Sequence, residues 1–208
     1  MIKKKYMAIE GAIGVGKTTL AKNISNTMKC QTLFEDFSDN PFLQNFYDNN
    51  QTNSFSTQLY FLLKRIDQLA LINTSSDMLV SDFYFRIDEL FAKLNLSDSE
   101  YEMYKKIKSK LEFSPPIPDL IIYLQASTDI LLDRIKKRGL MIEKNIKKKY
   151  IDSVNELYMK HFHEYKESPV LIINTSNVNI NNIDDYNLLI HEISSDINGK
   201  KYFNPVSK

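Results

Sequence analysis

Gly11-Ala12-Ile13-Gly14-Val15-Gly16-Lys17-Thr18 fits the pattern G-x-x-x-x-G-K-[ST], with Thr19 next in the chain. That spacing is suited to holding phosphate. Glycines let successive backbone N–H groups turn toward one anion, and a helix that starts at the lysine points its positive end at the same place. Lys17 would neutralise the β and γ phosphates of a nucleoside triphosphate, and Thr18 would ligate magnesium. The chain holds five glycines and three lie in this loop, a concentration that a turn merely joining strand to helix would not need. No G-x-G-x-x-G can be laid over them, which argues against a dinucleotide loop.

A phosphate loop does not say what receives the phosphoryl group. In open α/β sheets the ligand lies beyond the carboxyl ends of the strands, so polar residues at those ends are the candidates. Glu35 and Asp36 end the second predicted strand and Asp82 ends the third. A carboxylate near a γ phosphate is repulsive unless it has a task, such as taking the proton of an attacking hydroxyl or holding the metal. Glu35 reads as the general base and Asp82 as a base-side or metal-side carboxylate; the alternative is that both only cap the helices that follow.

The elements that must position these residues are legible as short apolar runs at residues 6–10, 30–34, 78–81, 120–124 and 170–173, separated by helical stretches. Residues 17–28 predict a helix directly after the loop, and residues 144–165 predict another. The longest, 54–72, carries Phe55, Leu59, Leu62, Ile66 and Leu69 at spacings of three and four, which makes that face core. Ser114-Pro115-Pro116-Ile117-Pro118 must be extended, because proline restricts itself and the residue before it. The expected fold is α/β, a P-loop NTPase-like three-layer arrangement with a five-stranded parallel sheet flanked by helices and a short lid at about 136–146. Without internal repeats or a composition break, residues 1–208 read as one domain.

Composition narrows the partners. Lys and Arg total 27 against 26 Asp and Glu, so no global field attracts a nucleic-acid polymer or an acidic membrane, and no apolar run is long enough to span a bilayer. A small molecule is the expected partner. The lone Cys30 cannot form an intrachain disulfide, which suits the cytoplasm. Met1-Ile2-Lys3-Lys4-Lys5 is followed by an apolar stretch broken at once by Glu10, so it reads as a solvated lead-in rather than a signal peptide. His161 and His163 are one residue apart in a helical stretch, point to different sides, and read as solvated surface residues rather than metal ligands.

Several motifs in order resemble the deoxyribonucleoside kinase family, in particular its bacterial deoxyadenosine and deoxyguanosine kinases. They are the phosphate loop, Phe34-Glu35-Asp36 with Asp39-Asn40-Pro41, residues 47–65, Ser81-Asp82-Phe83 running to Leu90-Phe91-Ala92, and residues 134–143. The resemblance implies that Glu35 takes the proton of a 5′-hydroxyl, that Tyr47 and Glu143 hold the sugar 3′-hydroxyl, and that Gln58 and Asp88 read the base with Arg65 beside them. It also implies ATP and Mg²⁺, a purine deoxynucleoside as acceptor for nucleotide salvage, and a homodimer. Gln58 and Arg65 are two helical turns apart, so one face can present both. A glutamine donates and accepts while an aspartate only accepts, which suits a base with an exocyclic amino group and leaves adenine, cytosine and guanine open.

Only four arginines occur, Arg65, Arg86, Arg134 and Arg138, so each is a candidate for a planar contact that lysine cannot make. Arg138-Gly139 resembles the start of the family's lid, where an arginine stabilises the transferred group. Arg134 reads as favourable charge at a helix C-terminus. Phe83 stands where the family commonly has arginine, and Leu140 where a second lid arginine is expected; Lys136, Lys137 or Arg86 are the candidates to compensate. The rival readings are a nucleoside monophosphate kinase of thymidylate kinase type and a non-catalytic nucleotide switch. The first needs arginines to clamp an anionic acceptor, and the second leaves Tyr47, Gln58, Arg65 and Asp88 without a task.

Overall fold

The computed structural model describes residues 4–48, 52–70, 78–178, 180 and 182–203. Its strands are β1 (Tyr6–Glu10), β2 (Gln31–Leu33), β3 (Leu79–Ser81), β4 (Leu120–Gln125), β5 (Val170–Asn174) and β6 (Lys200–Phe203). They form one parallel sheet in the order β2-β3-β1-β4-β5-β6. The sheet thus has one strand more than the sequence predicts. β6 escapes pattern reading because three of its four residues, Lys200, Lys201 and Tyr202, are exposed and only Phe203 is buried. Lysines on an edge strand discourage further pairing.

β1 is central and buried along its whole length, as an all-parallel sheet covered on both faces requires. Helices α1 (Lys17–Met28), α2 (Leu43–Asp48), α3 (Ser54–Ala70), α4 (Ile87–Asn95), α5 (Asp98–Lys110), α6 (Thr128–Arg138), α7 (Lys148–Glu164) and α8 (Ile183–Ser194) connect the strands. A single 3-10 turn, Met141–Glu143, follows α6 in the predicted lid. Gly139, in the left-handed region, ends α6 and turns the chain into that lid. Among the described residues no helix is long and apolar enough to cross a membrane.

Two expectations need correction. The deepest residues of α3 are Ser54, Thr57, Gln58, Leu62, Arg65 and Leu69, whereas Phe55, Leu59 and Ile66 are only partly buried. The helix is rotated from its apolar stripe because Gln58 and Arg65 have buried partners; its predicted end at residues 71–72 lies outside the described residues. Lys4 is not simply solvated, since its Nζ donates to the carbonyls of Ile193 and Ser195 at 2.8 and 2.7 Å. Residues 1–3 of that lead-in lie outside the described residues.

The turn from β1 into α1 depends on Gly11, whose φ is +145° and whose added Cβ would stand 2.4 Å from the Leu124 carbonyl oxygen of β4. Both conformation and backbone proximity exclude a side chain. Gly11→Ala is expected to lower unfolding stability by at least about 2 kcal/mol in urea titrations, with the loop displaced from β4.

Candidate active site

The donor side is built at the start of α1. Gly16 precedes the helix in a left-handed conformation, no side chain caps the first turn, and no acidic residue lies in it. Its backbone N–H groups are therefore available to an anion. A cleft of about 650 Å³ opens there, lined by residues 14–19 of the loop and helix, by Arg134 and Arg138 of α6, and by residues 175–178 after β5. Lys17 Nζ folds back onto the Gly11 carbonyl at 2.7 Å. Arg134 does more than favour a helix end: Nη1 donates to Thr175 Oγ1 at 2.8 Å and to the Val15 carbonyl at 3.2 Å, and Nη2 donates to the Thr175 carbonyl at 2.9 Å. It ties the phosphate loop to the segment after β5.

Asp82 stands at the junction with the acceptor side. Its Oδ2 accepts from Thr18 Oγ1 at 2.5 Å and its Oδ1 accepts from the Glu35 backbone N–H at 2.6 Å. Burial pushes this carboxyl upward, while those two hydrogen bonds oppose the shift. The oxygens of Thr18 and Asp82 are hard ligands of the kind that suits Mg²⁺.

Beyond Asp82 a narrower pocket is lined by Lys17, Glu35, Tyr47, Gln58, Phe61, Arg65, Phe83 and Tyr150, among others. Arg65 spans it. Its Nε and Nη2 donate to Glu35 Oε1, the first at 2.7 Å, and its Nη1 donates to Asp88 Oδ1 at 2.8 Å. Phe61 and Phe83 flank the guanidinium at 5.5 and 5.8 Å. Burial alone would depress the Arg65 pKa; Glu35 and then Asp88 outweigh it and hold the group firmly charged. Asp88 is fully buried and absent from the pocket wall. Its carboxylate is taken up by Arg65, by Gln58 Nε2 at 2.9 Å and by the Tyr104 hydroxyl. Because a carboxylate only accepts, the Gln58 amide nitrogen must face it, which leaves Oε1 as the acceptor.

The lid closes the near side. Arg138 forms a forked pair with Glu143, Nε to Oε2 at 3.1 Å and Nη2 to Oε1. Both line an opening shared with Gly14, Lys17, Glu35, Tyr47 and Asp82. The Tyr47 phenol is raised well above its ordinary pKa by burial first, then by Tyr150, Glu143 and Glu35. Ala12 lies buried in the loop core, outside both the cleft and the pocket. Of the candidate compensating cations, Arg86 pairs with Glu167, and Lys136 and Lys137, exposed on α6, line neither the cleft nor the pocket.

The family model for deoxynucleoside kinase matches residues 7–198. This chain belongs to the deoxynucleoside kinase family. It is 39% identical over 155 residues to the deoxyguanosine kinase of Bacillus subtilis, spanning 72% of this chain and 74% of that one. The deoxyadenosine kinase of Dictyostelium discoideum is 31% identical over 207 residues, covering 97% and 83% of the two chains. The structure of a deoxyadenosine kinase from M. mycoides with bound dATP superposes with a TM-score of 0.80 at 26% identity, covering 92% of this chain and all of that one.

Three residues that the structure places at the site are given no site role by the sequence. Arg134 is one. Tyr150, from α7, lines the pocket beside Tyr47. Glu10 is the third, a fully buried carboxylate in the pocket wall; its only sequence signal is a charge at the carboxyl end of an apolar strand, directly before the loop. Among the described residues no cluster of metal-ligating side chains occurs, and His161 is half-buried against Phe162 and Tyr165 rather than solvated. Arg65→Met is expected to reduce stability by about 3–5 kcal/mol in denaturant titrations, because it leaves Asp88 charged, buried and without its cationic partner.

Proposed function

We propose that the chain, acting as one kinase domain, transfers the γ-phosphoryl group of ATP to the 5′-hydroxyl of a purine deoxyribonucleoside, yielding the 5′-monophosphate for salvage. The observation that supports this most is the pair of hydrogen bonds that Asp82 accepts, from the Thr18 hydroxyl and from the Glu35 backbone N–H, which sets the candidate base beside the phosphate loop. In this reading Lys17 leaves the Gly11 carbonyl for the β and γ phosphates. The 5′-oxygen attacks phosphorus, its proton passes to Glu35, the bond to the β–γ bridging oxygen breaks, and ADP departs. Thr18 and Asp82 would hold Mg²⁺, which would supply neutralisation of phosphate charge.

Tyr47 and Glu143 hold the sugar 3′-hydroxyl, and Arg138 moves from Glu143 toward the transferred group. Gln58 offers Oε1 to a donor on the base, which suits an exocyclic amino group and disfavours thymine's carbonyl oxygen. Asp88 then acts from behind, holding Gln58 and Arg65 at the pocket wall. The pocket arginine is already shared between two carboxylates, so no second anion, such as an acceptor phosphate, is called for there. The reading includes a cytoplasmic location and a homodimer, for which family membership is the support.

A coupled ADP-release assay with ATP·Mg²⁺ tests the proposal, comparing four deoxynucleosides with their monophosphates and with no acceptor. Turnover stimulated by deoxyadenosine or deoxyguanosine, with monophosphates inert, is expected. Stimulation only by monophosphates would instead make the chain a nucleotide kinase and remove the task assigned to Glu35; release without any acceptor would favour a nucleotide switch.

A further inference from the structure

We infer that Glu10 is a positioning residue for phosphoryl transfer, a single carboxylate that holds the phosphate loop, the turn after Asp82 and helix α7 in one arrangement. It is 2% exposed at the end of β1. Its Oε1 accepts from the Tyr84 backbone N–H at 2.5 Å, and its Oε2 accepts from the Gly11 N–H at 3.2 Å and from the Tyr158 hydroxyl at 2.8 Å. Gly11 is the next residue and opens the phosphate loop, whereas Tyr84 and Tyr158 come from two distant parts of the chain.

Each link reaches a reacting or substrate-facing group. Gly11 donates to Glu10 on one side and receives Lys17 on the other, so Glu10 fixes the residue on which the phosphate-binding lysine rests. Tyr84 is two residues beyond Asp82 and adjoins Phe83, which flanks Arg65 in the pocket. Tyr158 lies on α7, the helix that carries Tyr150 into the same pocket wall. The titratable and charged groups facing Glu10 are Lys17 from α1, Arg65 from α3, Tyr158 from α7 and Tyr6 on its own strand.

As directed in the structure, the three bonds are those of an ionised carboxylate that only accepts. The N–H groups of Gly11 and Tyr84 cannot reverse, so a proton on Glu10 can be accommodated only at Oε2, where the Tyr158 hydroxyl must turn from donor to acceptor. Protonation therefore changes the link to α7. Burial pushes this carboxyl up to about 7, against Lys17, Tyr158, Tyr84 and Arg65, so the change falls within the working range of a cytoplasmic enzyme. Because the folded value lies above the unfolded one, the stability that Glu10 contributes is complete below its ordinary carboxylate range and is lost as pH rises through about 7.

This inference rests on the kinase reading, and the two can fail separately. The experiment measures kcat and nucleoside KM from pH 5.5 to 9 for the wild type, Glu10→Gln and Tyr158→Phe, with thermal melts of each. Glu10→Gln is expected to lower kcat by about 10- to 100-fold, with KM within about threefold, and to remove an acid limb near pH 7. Tyr158→Phe is expected to move that limb to higher pH, because it deletes a hydrogen bond that favours the ionised form. An unchanged kcat and limb in Glu10→Gln, with only the melting temperature altered, would overturn the inference and leave the kinase reading standing. Should Glu10→Gln fail to fold, an unmoved limb in Tyr158→Phe would overturn it equally. A wild type without nucleoside-dependent turnover would end both.

Discussion

One guanidinium organises the acceptor half of this molecule. Arg65 rises from α3 into a region where burial would expel a charge, and it stays because Glu35 and Asp88 approach it from opposite sides. A buried ion cluster of this kind is poor at adding stability but strict about geometry, since every member must be matched. Asp88 is matched completely, by Arg65, Gln58 and the Tyr104 hydroxyl of α5. Glu35 is held by Arg65 yet remains partly open to the pocket. The rotation of α3 away from its apolar stripe follows from the same demand.

The donor half is organised by backbone instead. Its glycines, the uncapped start of α1 and the close approach of Gly11 to β4 shape a phosphate cradle with little help from side chains. Asp82 joins the halves, because the Thr18 hydroxyl and the Glu35 amide bond its two oxygens. A shift of the turn after β3 is therefore felt by both substrates. In the lid, the forked pair of Arg138 and Glu143 ties the end of α6 to the turn that follows it.

Much of this was legible in the chain. The phosphate loop declares itself because its chemistry needs glycines at fixed spacing, and the central strands because they are apolar throughout. The positions of Glu35 and Asp82 followed from the rule that ligands sit beyond strand ends. Tyr47, Gln58, Arg65, Asp88 and Glu143 came only through resemblance to known kinases, since isolated polar residues on helices carry no local signal of a shared pocket. β6 was missed because an edge strand buries a single side chain. Arg134 was misjudged because its partners, Val15 and Thr175, are distant in sequence. Glu10 carries no signal of its role, because a charge at a strand end looks the same whether it meets solvent or is enclosed by donors from Tyr84 and Tyr158 far along the chain.

Phosphoryl transfer in this enzyme requires a group to take the hydroxyl proton, and Glu35 is the proposed one. The most direct measurement compares the kcat of Glu35→Gln with its nucleoside dissociation constant from calorimetry. The substitution keeps the shape and an acceptor for Arg65 but cannot receive a proton. Turnover reduced by at least about 100-fold, with nucleoside affinity within a few-fold of the wild type, is the predicted result. An unchanged kcat would contradict the account and return Glu35 to the role of a counter-ion for Arg65.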